Sequence, residues 1–142
     1  MAVWPLQSAV SALQNIVQAI TAATAAIKNA PSLIWAAMVE EPVAFSGTIT
    51  LDLSEGFNFA IVLTANSVMG NPVNSKPGQS GAIYLTQDAT GSRTMTFGTA
   101  WYWPLGVAPT LSTAANAVDM ITYKVRSPTV IVGTLFLKGL AP

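Results

Sequence analysis

Two periodicities divide the chain. From Leu6 to Ile27 the larger side chains recur in alternating steps of four and three, which is the spacing of the a and d positions of a coiled coil. This seam consists of Leu6, Val10, Leu13, Val17, Ile20, Thr24 and Ile27. The pattern predicts an N-terminal α-helix that ends at Pro31, because proline disfavours continuation of a helix.

The positions beside this seam carry no charge. They are Gln7, Gln14 and Thr21 on one side and Ala9, Ile16 and Ala23 on the other. These residues widen the apolar stripe, which suits a bundle of three or more helices or a helix enclosed by another protein. We therefore expect a homotrimer held by this helix. The alternative is an amphipathic helix that packs on the chain's own β domain.

Beyond the helix, Thr, Val, Gly and aromatic residues form short segments bounded by turn signals, as in a β domain. Strands are predicted at residues 44–51, 57–64, 81–86, 93–97, 118–125 and 129–137. Apolar residues alternate at 57, 59, 61 and 63 and at 83 and 85, which indicates strands with one face in a core. The sequence predicts a mainly β fold, a β-sandwich or jelly roll at 44–142. This β domain follows an attachment segment, helix and linker at 1–43. In the linker, Glu40 and Glu41 are expected to be solvated.

Composition points to association. Of the 142 residues 51% are hydrophobic and 8% are charged, so other subunits are expected to cover much of the surface. Six basic and six acidic residues cancel and are scattered, which argues against nucleic acid as a partner. The longest apolar runs, such as 33–39, are shorter than the roughly 20 residues of a spanning helix, so we expect no membrane insertion. The uncharged, Gln-interrupted N-terminus argues against a signal peptide.

The residue types that are missing restrict the chemistry. Without Cys or His, the chain lacks disulfides, thiolate nucleophiles, the commonest general base and the commonest transition-metal ligand. We expect no enzyme activity, no cofactor and no metal site. Asp88 is the one candidate for a calcium ligand, but no EF-hand-like run of acidic residues accompanies it. Together with Gln87 and Arg93 it is expected to hold a turn or a subunit contact.

A longer motif indicates a family. Residues 78–93 read GQSGAIYLTQDATGSR and are followed by a Thr-rich strand and Trp101, then by PTLST at 109–113 and AVD at 117–119. In this order the segments resemble a recurrent domain of tailed-bacteriophage virion proteins, found in tail-fibre tips and capsid-attached fibres. The resemblance covers roughly residues 47–140 and leaves out the helix. It implies a virion component, assembled in the host cytoplasm, that binds other virion proteins on the head or the tail.

Two aromatic sites are candidates for binding. Trp101, Tyr102 and Trp103 form a dense cluster whose rings, if exposed, would stack on the sugars of a host surface polysaccharide. The alternative is that they fill the core or a subunit contact. Trp4 and Pro5 precede the helix and are candidates for docking into a partner protein, or for a staple at the helix end.

These observations favour a non-enzymatic structural protein of a phage virion. We expect a homotrimeric fibre, spike or decoration protein, attached to tail or capsid through its helix and displaying a β head. The alternative is a receptor-binding module that recognises host surface glycan through its loops and aromatic cluster. A glycan depolymerase would need paired carboxylates in a groove, and the six acidic residues are spread thinly.

Overall fold

The structure, a computed structural model, describes residues 3–141. It divides into a helical unit that ends at Ala36 and a sheet-rich unit that begins at Ala37. The helix, α1, spans Val3–Met38, about 54 Å at the usual rise per residue. Its length and composition would suffice to cross a membrane, so the expectation of no membrane insertion stays a prediction.

The prediction that the helix ends at Pro31 was wrong. Pro31 lies inside α1, although an interior proline costs roughly 3 kcal/mol because it removes one hydrogen bond and crowds the preceding turn. The following residues, Leu33 to Met38, are rich in Leu, Ala and Met, which favour a helix. Continuing the same spacing of four and three places Pro31, Ile34 and Met38 on the predicted seam.

The described part of the sheet-rich unit, residues 37–141, contains nine strands. They are β1 Glu40–Pro42, β2 Thr48–Ile49, β3 Asn58–Leu63, β4 Ser67–Met69, β5 Ser80–Gln87, β6 Met95–Phe97, β7 Trp101–Tyr102, β8 Val118–Ser127 and β9 Val130–Leu140, with a short 3₁₀ turn at Pro104–Gly106. The mainly β prediction is confirmed. The strand expected at 44–51 shrinks to β2, because only Thr48 and Ile49 pair with a neighbour. Strands β1, β4 and β7 were not predicted, and β1 places the exposed Glu40 and Glu41 on a sheet.

The chain alternates between two sheets. β1, β3 and β5 lie side by side in a six-stranded sheet of order β1-β3-β5-β8-β9-β7, whereas β2, β4 and β6 form a three-stranded sheet. Within each of these two sets neighbouring strands are parallel. The chain between two neighbours of one set therefore always includes a strand of the other set. β8 pairs antiparallel with β5 and β9, and β7 runs parallel to β9. A jelly roll, which is built from antiparallel strands, is not confirmed.

One hydrophobic core contains side chains of both sheets. Phe59, Ile83 and Ile121 form a buried row across β3, β5 and β8. In the smaller sheet, Ile49 and Met69 are paired and buried. Ala60 and Val62, between the buried residues of β3, point away from the core. The alternation predicted for 59, 61, 63, 83 and 85 is therefore confirmed, whereas Phe57 precedes β3 and is exposed.

Asparagine side chains tie neighbouring passes of the chain together. The Nδ2 of Asn58 donates to the carbonyl of Met38 at 2.6 Å, and its Oδ1 accepts from the amide of Ala82 at 3.0 Å. The Oδ1 of Asn71 accepts from the amide of Ala100 at 2.8 Å. Such bonds satisfy backbone groups that the sheet ladders leave unpaired where strands begin. The bond that the Ala100 amide donates to Asn71 fixes the start of β7, which carries the aromatic cluster.

Candidate functional site

The aromatic cluster is divided by the alternation of β7. Trp101 points into the core and is 6% exposed, and its indole nitrogen donates to the carbonyl of Gly70 at 2.9 Å. Tyr102, the next residue, points outward and is 53% exposed. Both expected roles therefore occur side by side, since Trp101 fills the core and Tyr102 faces solvent.

Trp103 connects the core with the surface. Its ring stacks on that of Trp101 at a centroid distance of 5.8 Å and meets the ring of Phe97 edge-on at 4.6 Å. On its other side it lies over Gly133, where an added Cβ would come within 2.6 Å of ring atom Cζ3. The ring is half-buried and is held in place on several sides.

Tyr102 and Trp103 border an open cleft of about 620 Å³. The lining residues of this cleft, called here the aromatic cleft, are Tyr102, Trp103, Pro104, Arg126, Ser127, Val130 and Val132. Beyond Pro104 the loop tip carries Leu105, which is fully exposed and has a positive φ of 57°. A leucine in this conformation is uncommon, and it leaves an apolar side chain in solvent next to Pro104, which lines the cleft.

Two cations accompany the aromatic cleft. Arg126 lies where the register of β8 and β9 shifts between Val125 and Ser127, and such a bulge redirects a side chain. Lys124 pairs with Val132, which also pairs with Tyr102, so the three residues form one row on the outer face. Sequence reasoning missed both cations, because Lys124 lies near the end of the strand predicted at 118–125 and Arg126 lies one residue beyond it.

Gln87, Asp88 and Arg93 close the turn between β5 and β6. The Asp88 carboxylate accepts from Nη2 of Arg93 at 2.7 Å and from the amide of Gly91 at 2.8 Å. The hydrogen bond from Arg93 is the main reason that the pKa of Asp88 is lowered. The buried Gln87 bonds both backbone groups of Arg93 and the carbonyl of Ser112. The arrangement leaves these groups occupied within the turn.

Two other polar groups, those of Asp119 and Tyr123, are buried and paired. Asp119 is 2% exposed and accepts from the amides of Ser112 at 2.6 Å and Gly139 at 2.7 Å. The hydroxyl of Tyr123 donates to the carbonyl of Phe57 at 2.9 Å, and burial raises the pKa of Tyr123 to about 12. Within residues 3–141 no three Asp or Glu side chains come together as a metal site would require.

The helical seam is exposed along its length in the single chain. Leu6, Val10, Leu13, Val17, Ile20 and Ile27 are 53–74% exposed. Thr24, at an a position, donates its hydroxyl to the carbonyl of Ile20 at 2.9 Å, so that hydroxyl is satisfied by the helix itself. Ile34 and Met38 are exposed as well. This set of residues is called the helical seam below.

The N-terminal docking candidates are only partly described. Pro5 lies in the first turns of α1 and is exposed. The side chain of Trp4 lies outside the described residues, as do Met1 and Ala2. The role of Trp4 and Pro5 in docking stays a prediction.

Comparison with known families gives the class of protein. Residues 45–126, more than half of the chain, match the family described as "Putative phage tail fibre C-terminal domain". The chain belongs to this family of tail fibre domains, and the resemblance seen in the sequence is confirmed. No curated protein and no solved structure matches the chain. The protein is thus a structural component of a phage tail, which associates with other proteins of the virion.

Proposed function

We propose that this tail fibre protein is a homotrimer, held by the helical seam and attached to the virion through α1, which displays the sheet-rich unit. The observation that carries the proposal is the row of large apolar side chains left in water along one stripe of α1. Burying one such side chain stabilises an assembly by about 1.5–3 kcal/mol. A helix this apolar has a strong tendency to associate.

The residues beside the seam support three helices over two. The g positions hold Ala9, Ile16 and Ala23, so the apolar stripe is broader than a two-helix seam uses. Bundling three coiled-coil helices in parallel would place three sheet-rich units at one end of the helices. In this role the protein acts by assembly and display and catalyses no reaction.

The helical seam can be tested by placing charge on it. In the double variant Leu13→Lys and Ile20→Lys, two d positions become cationic, and burying unpaired charges costs several kcal/mol. We expect sedimentation equilibrium to give three times the 14.8 kDa of one chain for the wild type and a single chain for the variant. Both substitutions lie outside the sheet-rich unit, so circular dichroism should show that the β signal is retained.

The matched control is Asn15→Lys with Ala22→Lys, which has the same charge and spacing on the f positions opposite the seam. This control should remain trimeric. A monomeric wild type, or equal dissociation of both double variants, would contradict the proposal. Insertion of the wild-type helix into lipid vesicles, detected by flotation, would likewise replace assembly by membrane anchoring.

A second function is supported by the aromatic cleft, namely recognition of host surface glycan. Tyr102 is exposed, and Trp103 forms one wall of the aromatic cleft. Flat aromatic rings bind the apolar faces of sugars, and the Tyr hydroxyl and Trp N–H donate hydrogen bonds to their hydroxyl groups. A structural part and a receptor-binding part are compatible in one fibre protein.

The Tyr102→Ala variant should abolish adsorption of the purified protein to host cells without lowering its melting temperature, because Tyr102 faces solvent. Cell-binding assays with labelled protein measure the effect. Phe136→Ala is the control, since Phe136 is 63% exposed and does not line the cleft. Unchanged adsorption of Tyr102→Ala would show that the cleft is not the receptor site.

A further inference from the structure

The charges beside the aromatic cleft are unbalanced. Arg126 lines the cleft and is exposed. Lys124 pairs with Val132, which pairs with Tyr102, so Lys124 and Tyr102 lie in the same row across the sheet. Within residues 3–141 the one ion pair joins Arg93 to Asp88, so neither Lys124 nor Arg126 has a carboxylate partner there. Among only six basic residues in the chain, two stand on the outer face of one strand.

The backbone around Arg126 is arranged to present this side chain. Val125 pairs with Ile131 and Ser127 with Val130, so Arg126 is the extra residue of a β-bulge. Bulges of this kind turn a side chain away from the regular ladder and are frequent beside binding sites. Val125 on one side is buried, which anchors the strand immediately before the bulge.

The aromatic rings supply the other half of a binding surface. Tyr102 exposes its ring to solvent, whereas Trp103 is held between Trp101 and Gly133 and forms one wall of the cleft. A guanidinium beside rings of this kind is suited to a ligand with both an apolar face and an anionic group. Arg binds a carboxylate through two parallel hydrogen bonds, and Lys124 adds a second positive charge.

We propose that the aromatic cleft binds an acidic saccharide, in which the carboxylate of a uronic acid residue pairs with Arg126 while a sugar ring stacks on Tyr102 and contacts Trp103. This inference rests on the proposed glycan recognition and names its ligand class. Stacking fixes the position of the sugar, and the charge pair selects acidic over neutral sugars, since a site built around a charged hydrogen bond discriminates against a ligand that lacks it.

The test compares two forms of one ligand by calorimetry with the full chain. The probe is a glucuronate-containing oligosaccharide, and its partner is the same oligosaccharide after reduction of each carboxyl to a hydroxymethyl group. We expect the acidic form to bind roughly tenfold or more tightly, the ratio that one charged hydrogen bond supports. Arg126→Gln should lose most of this preference for the acidic form, and Lys124→Gln should reduce it by less. Lys138 is exposed and lies outside the cleft, so the Lys138→Gln variant should bind as the wild type does.

The outcomes separate this inference from the function on which it rests. Equal binding of both forms by the wild type, lost in Tyr102→Ala, would overturn the acidic preference and leave glycan recognition standing. If neither form bound and the Trp fluorescence stayed unchanged on titration, the proposal that the cleft binds an acidic saccharide would be contradicted. If Tyr102→Ala also adsorbed to cells like the wild type, the proposed glycan recognition by the cleft would be contradicted as well. An oligoglutamate that bound as tightly as the acidic saccharide would show that the cleft recognises charge and no sugar.

Discussion

At the scale of single residues, Trp103 depends on a position without a side chain. An alanine at 133 would place its Cβ 2.6 Å from Cζ3 and 2.8 Å from Cη2 of Trp103, closer than carbon atoms approach. The indole would have to leave its stacked position against Trp101. The aromatic cleft thus owes one of its walls to Gly133, a residue that sequence inspection would not single out.

The Gly133→Ala variant should therefore lose stability and change the cleft together. Overpacking of this kind costs about 1–3 kcal/mol, and the Trp103 ring should become more solvated. Urea unfolding followed by Trp fluorescence measures both effects. Gly47→Ala is the control, because a Cβ there meets no atom within 4 Å. An unchanged free energy of unfolding would contradict the contact between Gly133 and Trp103.

At the scale of elements, the turn after β5 is held by charge. Asp88 receives hydrogen bonds from Arg93, Thr90 and Gly91, and its own carbonyl accepts from the amides of Gly91 and Asn116. This one residue connects the end of β5 to the loop that precedes β8. Because the chain passes from the large sheet to the small sheet here, the turn fixes how β5 leads into β6.

The stability of this turn should depend on pH in one direction. The pKa of Asp88 is lowered in the folded protein, so its charged form favours folding at pH well above 4, and this contribution is lost as pH falls through the lowered pKa. The melting temperature of the wild type should fall more between pH 7 and pH 3 than that of Asp88→Asn.

Glu55→Gln provides the control for the pH dependence. Glu55 is exposed, and it takes no part in the one ion pair found within residues 3–141. The variant should follow the wild type across the whole pH range. Parallel curves for the wild type and Asp88→Asn would show that the Asp88 to Arg93 pair does not stabilise the fold.

The helix shows where pattern and propensity disagree. The spacing of four and three was sufficient to predict a helix, and α1 contains every residue of the predicted seam. Helix propensity alone predicts an end at Pro31, because an interior proline is a strong helix breaker. In the structure the helix formers beyond it carry α1 to Met38. The longer helix extends the exposed apolar surface on which the proposed trimer depends.

At the scale of the whole molecule, the sequence predicted which side chains are buried better than which strands are neighbours. Alternation at Phe59, Ile61 and Leu63 depends on local geometry alone, since successive side chains of a strand point to opposite faces. Strand pairing depends on distant contacts, such as the bonds from Asn58 to Met38 and Ala82. No local pattern shows that β3 and β5 are parallel with β4 between them in the chain.

The candidate sites were predicted to a similar extent. Clustering of aromatic residues drew attention to Trp101, Tyr102 and Trp103, but their division into a core residue, an exposed residue and a wall of the aromatic cleft required the register of β7 and β9. Arg126 joins the cleft through a bulge, which an alternation pattern does not reveal. The family could be recognised because its motif is long and ordered.

The position of β1 at the end of the larger sheet bears on solubility. A free sheet edge is a template on which further strands can add, and proteins that leave it open tend to aggregate. β1 consists of Glu40, Glu41 and Pro42, all exposed. Two negative charges repel an identical strand from another molecule, and proline has no N–H to donate to it. The three residues of β1 thus hinder the addition of further strands at this edge and so oppose growth of the sheet into a fibril.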